Sequence, residues 1–199
     1  MARRSDHSRD EIREMALDAA ERIVREEGYA GLSARKVARP MGYTVGTLYL
    51  VFKNLDDLVL QVNARTLDEL HEGARRAYES RTNPQARVMA LGRSYIEFAT
   101  TQRNRWSMIF EHQLPAGEEW PTWYSDKVAR SFALVEEALQ PLAPDRLRPE
   151  IKLAARALWG GVHGLCILAL TNKLDLKSIE SVQSLAESLI TNYLIGFMS

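Results

Sequence analysis

Apolar positions recur at helical spacing along this chain, and no stretch alternates apolar with polar residues as a half-buried strand does. A first helix is predicted from about Ser8 to Glu27, with Ile12, Met15, Leu17, Ala19, Ala20, Ile23 and Val24 on its apolar side. Two short helices follow. Ser33 caps residues 34–41, in which Val37 and Ala38 face inward, and Thr44 caps residues 45–51. Met41-Gly42-Tyr43 forms the turn between them, because glycine tolerates the backbone angles of a tight helix connection. Asn54 caps a long fourth helix from Leu55 to about Arg81. Asn83-Pro84 opens a fifth, RNRWSMIFE (103–111) is a short aromatic sixth, and a loop at 114–119 precedes a seventh from Pro121 to about Leu142. Pro149 suits the first turn of an eighth helix over 150–172, and a ninth spans 178–198. The expected fold is all-α, with about nine helices.

Two short helices joined by a glycine turn are the means by which a protein inserts one helix into a DNA major groove. The pattern from Gly28 to Leu58 therefore predicts a helix-turn-helix whose recognition helix is 45–51. Ile12, Ala16, Ala19, Ala20 and Ile23, then Gly28, Ser33, Val37, Ala38, Gly42, Thr44, Gly46-Thr47-Leu48-Tyr49, Phe52 and Leu58 stand in an order that resembles the DNA-binding domain of the TetR family of bacterial transcriptional regulators. The match covers about a quarter of the chain. A local Trp159-x-x-x-His163-Gly164 is similar to a signature of the C-terminal domains of one TetR subgroup.

The resemblance implies residue roles. Thr44 caps the recognition helix and touches a phosphate, the Thr47 and Tyr49 hydroxyls bond the DNA backbone, and Gly46 lets the helix approach the duplex. Ser33 and Lys36 serve the flanking phosphates. Such contacts set register, while base edges carry sequence information. The recognition helix holds no Arg, Lys, Asn or Gln, so Tyr43, Thr44 and Val45 are left to meet thymine methyls. Arg35 or Arg39 reaches a base from the preceding helix, and Arg3 and Arg4 are expected in a minor groove, alongside readout of DNA shape. Three departures from the family pattern are Leu55 where many relatives carry lysine, with Lys53 as the substitute, Pro40 late in the second helix, and Tyr43 at a position more often aliphatic.

Charge sharpens this picture. The 199 residues have a formal net charge of zero, which gives no global field for nucleic acid. From Gly28 to Leu55, however, the only charged residues are Arg35, Lys36, Arg39 and Lys53. The predicted helix-turn-helix is a basic island in a neutral protein. Cys166 is the sole cysteine, so no intramolecular disulfide forms and a cytoplasmic setting is expected. Met1 to Glu27 is too charged for a signal peptide, and the apolar run 157–170 is too short to span a bilayer. No membrane partner is expected.

Residues 1–60 form the DNA-binding domain in this reading and 61–199 an effector-binding and dimerisation domain, joined within the fourth helix near Ala64 to Glu69. A compact reader gains specificity by dimerising on a palindromic operator. The eighth helix is apolar nearly all round beyond Arg156 and must be buried, in a core or against a second subunit. Gly160, Gly161 and Gly164 each cost about 1 kcal/mol relative to Ala inside a helix, a cost that close helix approach or a bulky ligand against the bare backbone would offset. The homodimer interface is expected at Gly161, Gly164, Leu189, Ile190, Leu194 and Phe197, as a four-helix bundle.

The effector pocket is expected at Trp106, Phe110, His112, Trp123, Tyr124, Phe132, Trp159 and His163, since such pockets are mainly apolar with a few orienting polar groups. A plain aromatic core explains the same residues. His71, His112 and His163 lack paired metal-ligand spacing, so neither a metal nor any other cofactor is expected. No nucleophile–base pair or phosphate loop supports an enzyme. The reading is a ligand-responsive regulator, by family default a repressor, released by a small apolar effector. The alternative is an architectural DNA-binding module without ligand control.

Overall fold

A computed structural model describes residues 7–174 and 178–199 of the chain. Among the described residues every regular element is helical. Two compact units can be distinguished, one running through Thr66 and taking in Gln102–Tyr124, the other comprising Leu67–Thr101 and Ser125–Ser199. The chain crosses between units near Thr66, inside the fourth helix, but it returns to the first unit for residues 102–124. That return differs from a simple division into 1–60 and 61–199.

The first unit begins with α1 (Arg9–Glu27), started by a capping box in which the Ser8 hydroxyl accepts from the Glu11 amide and the Glu11 carboxylate from the Ser8 amide. Gly28 ends it at φ 74°, a left-handed value that favours glycine. A 3-10 turn at Tyr29–Gly31, not anticipated from the sequence, leads into α2 (Ala34–Ala38). α2 ends earlier than expected. Arg39 caps it and Pro40 offers no amide to extend it. After Gly42 at φ 72° comes α3 (Val45–Leu48), then tightened turns in which the Leu50 and Val51 amides donate to the Thr47 and Leu48 carbonyls at 3.1 Å. The recognition helix is therefore one turn long rather than spanning 45–51.

α4 (Leu55–Glu79) begins in this unit and α6 (Arg103–Glu111) returns to it. Ala16, Val24, Val37, Leu48, Phe52, Leu58, Val62 and Met108 close a shared core, so α6 contributes to the support of the helix-turn-helix. Arg105, almost fully buried, pairs with Glu21 of α1 at 2.9 Å, and Arg65 of α4 reaches Asp18 of α1 at 2.7 Å.

The second unit holds the rest of α4, α5 (Pro84–Thr101), most of α7 (Thr122–Leu139), a 3-10 turn at Gln140–Leu142, α8 (Arg148–Leu170) and α9 (Ile179–Met198). Ile96, Leu139, Ile151, Ala155, Ala186 and Ile190 are among its most buried apolar residues. A Cβ on Gly92 would stand 2.5 Å from Ile190 Cδ1, and one on Gly161 would stand 2.8 Å from Leu189 Cδ2. These two glycines are where α9 comes closest to α5 and α8.

By length and composition alone α8 is apolar enough to cross a membrane, a longer apolar element than 157–170 suggested. Ile151, Ala155, Leu158, Val162 and Cys166 lie on one buried face that packs within this unit, while much of the rest of the helix is exposed.

Candidate nucleic-acid interface

The reading segment is built from two capped short helices. Ser33 Oγ accepts from the Lys36 amide at 3.3 Å, and Thr44 Oγ1 accepts from the Thr47 amide at the same distance. The Ser33 cap satisfies an amide of the first helical turn, while the Thr47 amide is shared between the Thr44 hydroxyl and the Thr44 carbonyl, the latter at 3.0 Å. The Tyr43 amide donates to the Ala38 carbonyl at 3.2 Å and fixes the turn. Val37, Ala38, Thr47 and Leu48 point into the core, so Arg35, Lys36, Arg39, Gly46, Tyr49 and Lys53 stand on the exposed side.

Several expected DNA-contacting residues are brought together on this segment, with two qualifications. Thr47 is only 7% exposed and its hydroxyl lies 3.2 Å from that of Thr44, which makes it a partner of the cap more than a free phosphate ligand. Lys36 forms an ion pair with Glu27, so part of its charge is already answered within the chain. Lys53, exposed, donates its amide to Asp57 at 2.8 Å, and Asn54 Oδ1 accepts from the Asp57 amide at 2.8 Å to start α4. Arg3 and Arg4 lie outside the described residues.

Gly46 has no internal reason to be glycine. A Cβ there would meet only Thr44 Oγ1, at an ordinary 3.7 Å. The bare backbone on the exposed side of α3 suits the close approach of another molecule. Sequence reasoning missed two contacts from the start of α1: His7 Nδ1 is hydrogen-bonded to the Tyr43 hydroxyl at 2.8 Å, and the Arg9 guanidinium donates to the Leu50 carbonyl. Partners 36 and 41 residues apart leave no trace in local spacing.

The residues expected to line an effector pocket fall into two groups. Trp106, Phe110, His112, Trp123 and Tyr124 belong to the first unit. Trp106 is buried edge-on to Phe110, and His112 Nε2 lies 3.0 Å from Asp56 Oδ1 at the start of α4. Tyr124 stacks on Trp120 at 5.2 Å, and burial pushes its hydroxyl pKa up to about 12. Phe132, Trp159 and His163 belong to the second unit. Their rings form a line, with Phe132 edge-on to Trp159 at 5.5 Å and Trp159 stacked on His163 at 4.9 Å. His163 Nδ1 is 2.8 Å from the hydroxyl of Tyr95, a residue the sequence reading left out. Burial lowers the His163 pKa, favouring the neutral ring. Among the described residues no group of His, Cys, Asp and Glu is placed to hold a metal.

Several of the residues expected at the self-association interface also have partners within the chain. Ile190, Leu194 and Phe197 are buried inside the chain's own second unit, and Leu189 rests against Gly161. The sequence showed α9 as apolar on one broad side, and the intrachain contacts with α5 and α8 consume that side. What remains uncovered includes a stripe on α8, along with Leu185, Ile195 and Met198 of α9. Leu153, Ala157, Gly160, Gly164 and Ile167 recur at spacings of three and four, Leu153 is 71% exposed, and neither Gly160 nor Gly164 has an atom within 4 Å of a built Cβ.

Comparison with known proteins bears on these features. Residues 16–62 match the family described as bacterial regulatory proteins, tetR family, and residues 88–193 match the tetracyclin repressor-like C-terminal domain. The transcriptional activator FasR of Mycolicibacterium smegmatis is 29% identical over 104 residues, which are 52% of this chain and 48% of that protein. The chain thus spans about half the length of this curated relative. A Rhodococcus sp. RHA1 protein of unknown function superposes with a TM-score of 0.77 at 21% identity, covering 98% of each chain. FadR of Bacillus subtilis, solved with stearoyl-CoA, gives 0.70 at 16% identity over 92% of this chain and 98% of its own. At such identities these structures establish the fold alone. With both its helix-turn-helix and its C-terminal helices matched, the chain belongs to the TetR family of DNA-binding transcriptional regulators, proteins that are not enzymes.

Proposed function

We propose that this protein binds a palindromic operator as a homodimer, represses the genes beside it, and is released by an apolar effector with one polar end. The observation that carries the DNA reading is the pair of capped helices, α2 and α3, with Gly46 and Tyr49 on their exposed side. The exposed stripe from Leu153 to Ile167 on α8 supports pairing with a second copy, since an apolar face with close-approach glycines has little reason to stay in water. Tyr95, Phe132, Trp159 and His163 support the effector site, an aromatic line ending in a hydrogen-bonded Tyr–His pair.

The fatty acyl class is the effector we favour, because a structure of like fold was solved with stearoyl-CoA. The effector must prefer one arrangement of the paired reading heads over another, or it shifts nothing. Selection of genomic fragments by the purified protein tests this, with and without stearoyl-CoA. Recovery of one inverted repeat, lost when stearoyl-CoA is added but not when free CoA is, is the expected result. Recovery of random fragments, or of a half-site alone, refutes the dimeric reading. The name of the mycobacterial relative favours activation as a second reading of direction. A reporter placed behind the recovered operator, compared with and without the protein, separates the two.

A further inference from the structure

The start of α1 touches both ends of the recognition segment. His7 bonds the hydroxyl of Tyr43, the residue immediately before the Thr44 cap, and the two rings stand edge to face with centroids 6.1 Å apart. Arg9 bonds the carbonyl of Leu50, just beyond α3. One turn further along α1, the Arg13 guanidinium lies over the Phe52 ring at 5.6 Å. These contacts follow the recognition segment from its entry to its exit.

Physical necessity stands behind this arrangement. A helix of four residues is far below the length at which a helix holds itself in water, and its last carbonyls are closed only by the tightened turns of residues 49–52. Thr44 fixes the first turn, and Thr47 and Leu48 anchor the inward side. Tyr49 and Leu50 are 43% and 64% exposed, so their position depends on how firmly the ends of the segment are held.

We infer that His7 and Arg9 are positioning residues for DNA reading: they clamp the two ends of α3 and so set where Tyr43, Tyr49 and Leu50 meet the duplex, without needing to touch it themselves. The consequence for specificity rests on the DNA-binding reading above. The clamp itself does not, and it is measurable in the free protein.

The test compares the full-length protein with His7→Ala, Tyr43→Phe, the double variant, Arg9→Met and Arg9→Lys. Amide hydrogen exchange over residues 45–52 is read by mass spectrometry, together with affinity for the selected operator and for a scrambled duplex of equal length. Exchange in this segment is expected to quicken severalfold in His7→Ala and Arg9→Met while α1 and α4 keep their protection. Operator affinity in His7→Ala is expected to fall about fivefold, the equivalent of one net hydrogen bond. Scrambled-duplex affinity should barely change, and the double variant should be no weaker than either single one. Unchanged exchange in every variant overturns the clamp. Faster exchange with equal losses on both duplexes overturns its role in reading. Full operator affinity in Arg9→Lys, whose ammonium still donates to a carbonyl, beside a loss in Arg9→Met supports Arg9 as the donor. If the wild type selects no operator, the DNA-binding proposal falls while the exchange result still decides the clamp.

Discussion

Residues 33–52 keep their shape through polar side chains at the ends of very short helices, whereas α8 and α9 keep theirs through long apolar surfaces. In the first region Ser33 and Thr44 each accept an amide three residues on, as Asn54 does at the start of α4, so each helix start has a local cause. In the second, the same apolar composition serves an inner face and an outer one. Ile190 is buried and Leu153 is open to solvent, though both are aliphatic residues at helical spacing in apolar helices. Local polar chemistry specifies where an element begins and turns. It takes the three-dimensional packing to say which side of a uniform helix is used up.

Substitutions can break this contrast, beginning with the most damaging. Phe52 is 2% exposed in the core beneath α3, and Phe52→Ala is expected to cost about 3–5 kcal/mol and to remove DNA binding with it. Calorimetric or denaturant unfolding measures the first and operator binding the second. In the C-terminal helices, Ile190→Ala is expected to cost about 2–5 kcal/mol. Leu153→Glu, by contrast, should leave the chain's own stability within about 0.5 kcal/mol and convert a dimer to a monomer in sedimentation. Equal destabilisation by the two would refute the assignment of inner and outer faces.

Smaller effects sharpen the comparison. Thr44→Ala removes a cap worth about 1 kcal/mol and is expected to weaken operator binding more than it lowers the melting temperature. Gly46→Ala should leave stability unchanged or raise it by up to about 1 kcal/mol, because a Cβ fits there and alanine favours helix. It should still reduce operator affinity, and undiminished binding would show that the duplex does not approach at Gly46. The gentlest test is pH. Burial lowers the pKa of both His71 and His163 in the folded second unit, so below about 6.5 the unfolded chain takes up protons that the folded one resists. Stability should fall as pH drops through that point and level off once the folded rings also protonate. Denaturant midpoints across this range should vary less with pH in His163→Gln, with His71 responsible for the remaining slope.

Much of the reading segment was legible because its causes are local: the Ser33 and Thr44 caps, the glycine at φ 72°, and a run of exclusively basic charge. The length of α3 was not, since continuation to Val51 depends on whether amides bond three or four residues back. The pairing of His7 with Tyr43 and of Arg105 with Glu21 was invisible for a different reason, as each joins residues that only the packed helices bring near. The aromatic residues from Trp106 to His163 read as one group by composition, yet the chain's return to its first unit at residues 102–124 divides them.

The ion pair between Lys36 and Glu27 also bears on how the protein searches a genome. Each phosphate neutralised by a cation contributes a slope of about −0.9 to the dependence of log affinity on log salt. A reading segment whose four cations include one already answered by a carboxylate, in a chain with no net charge, is expected to hold random DNA weakly. On the proposed reading, fewer molecules would then be sequestered on the bulk of the chromosome, and occupancy of an operator would be comparatively tolerant of swings in cellular potassium.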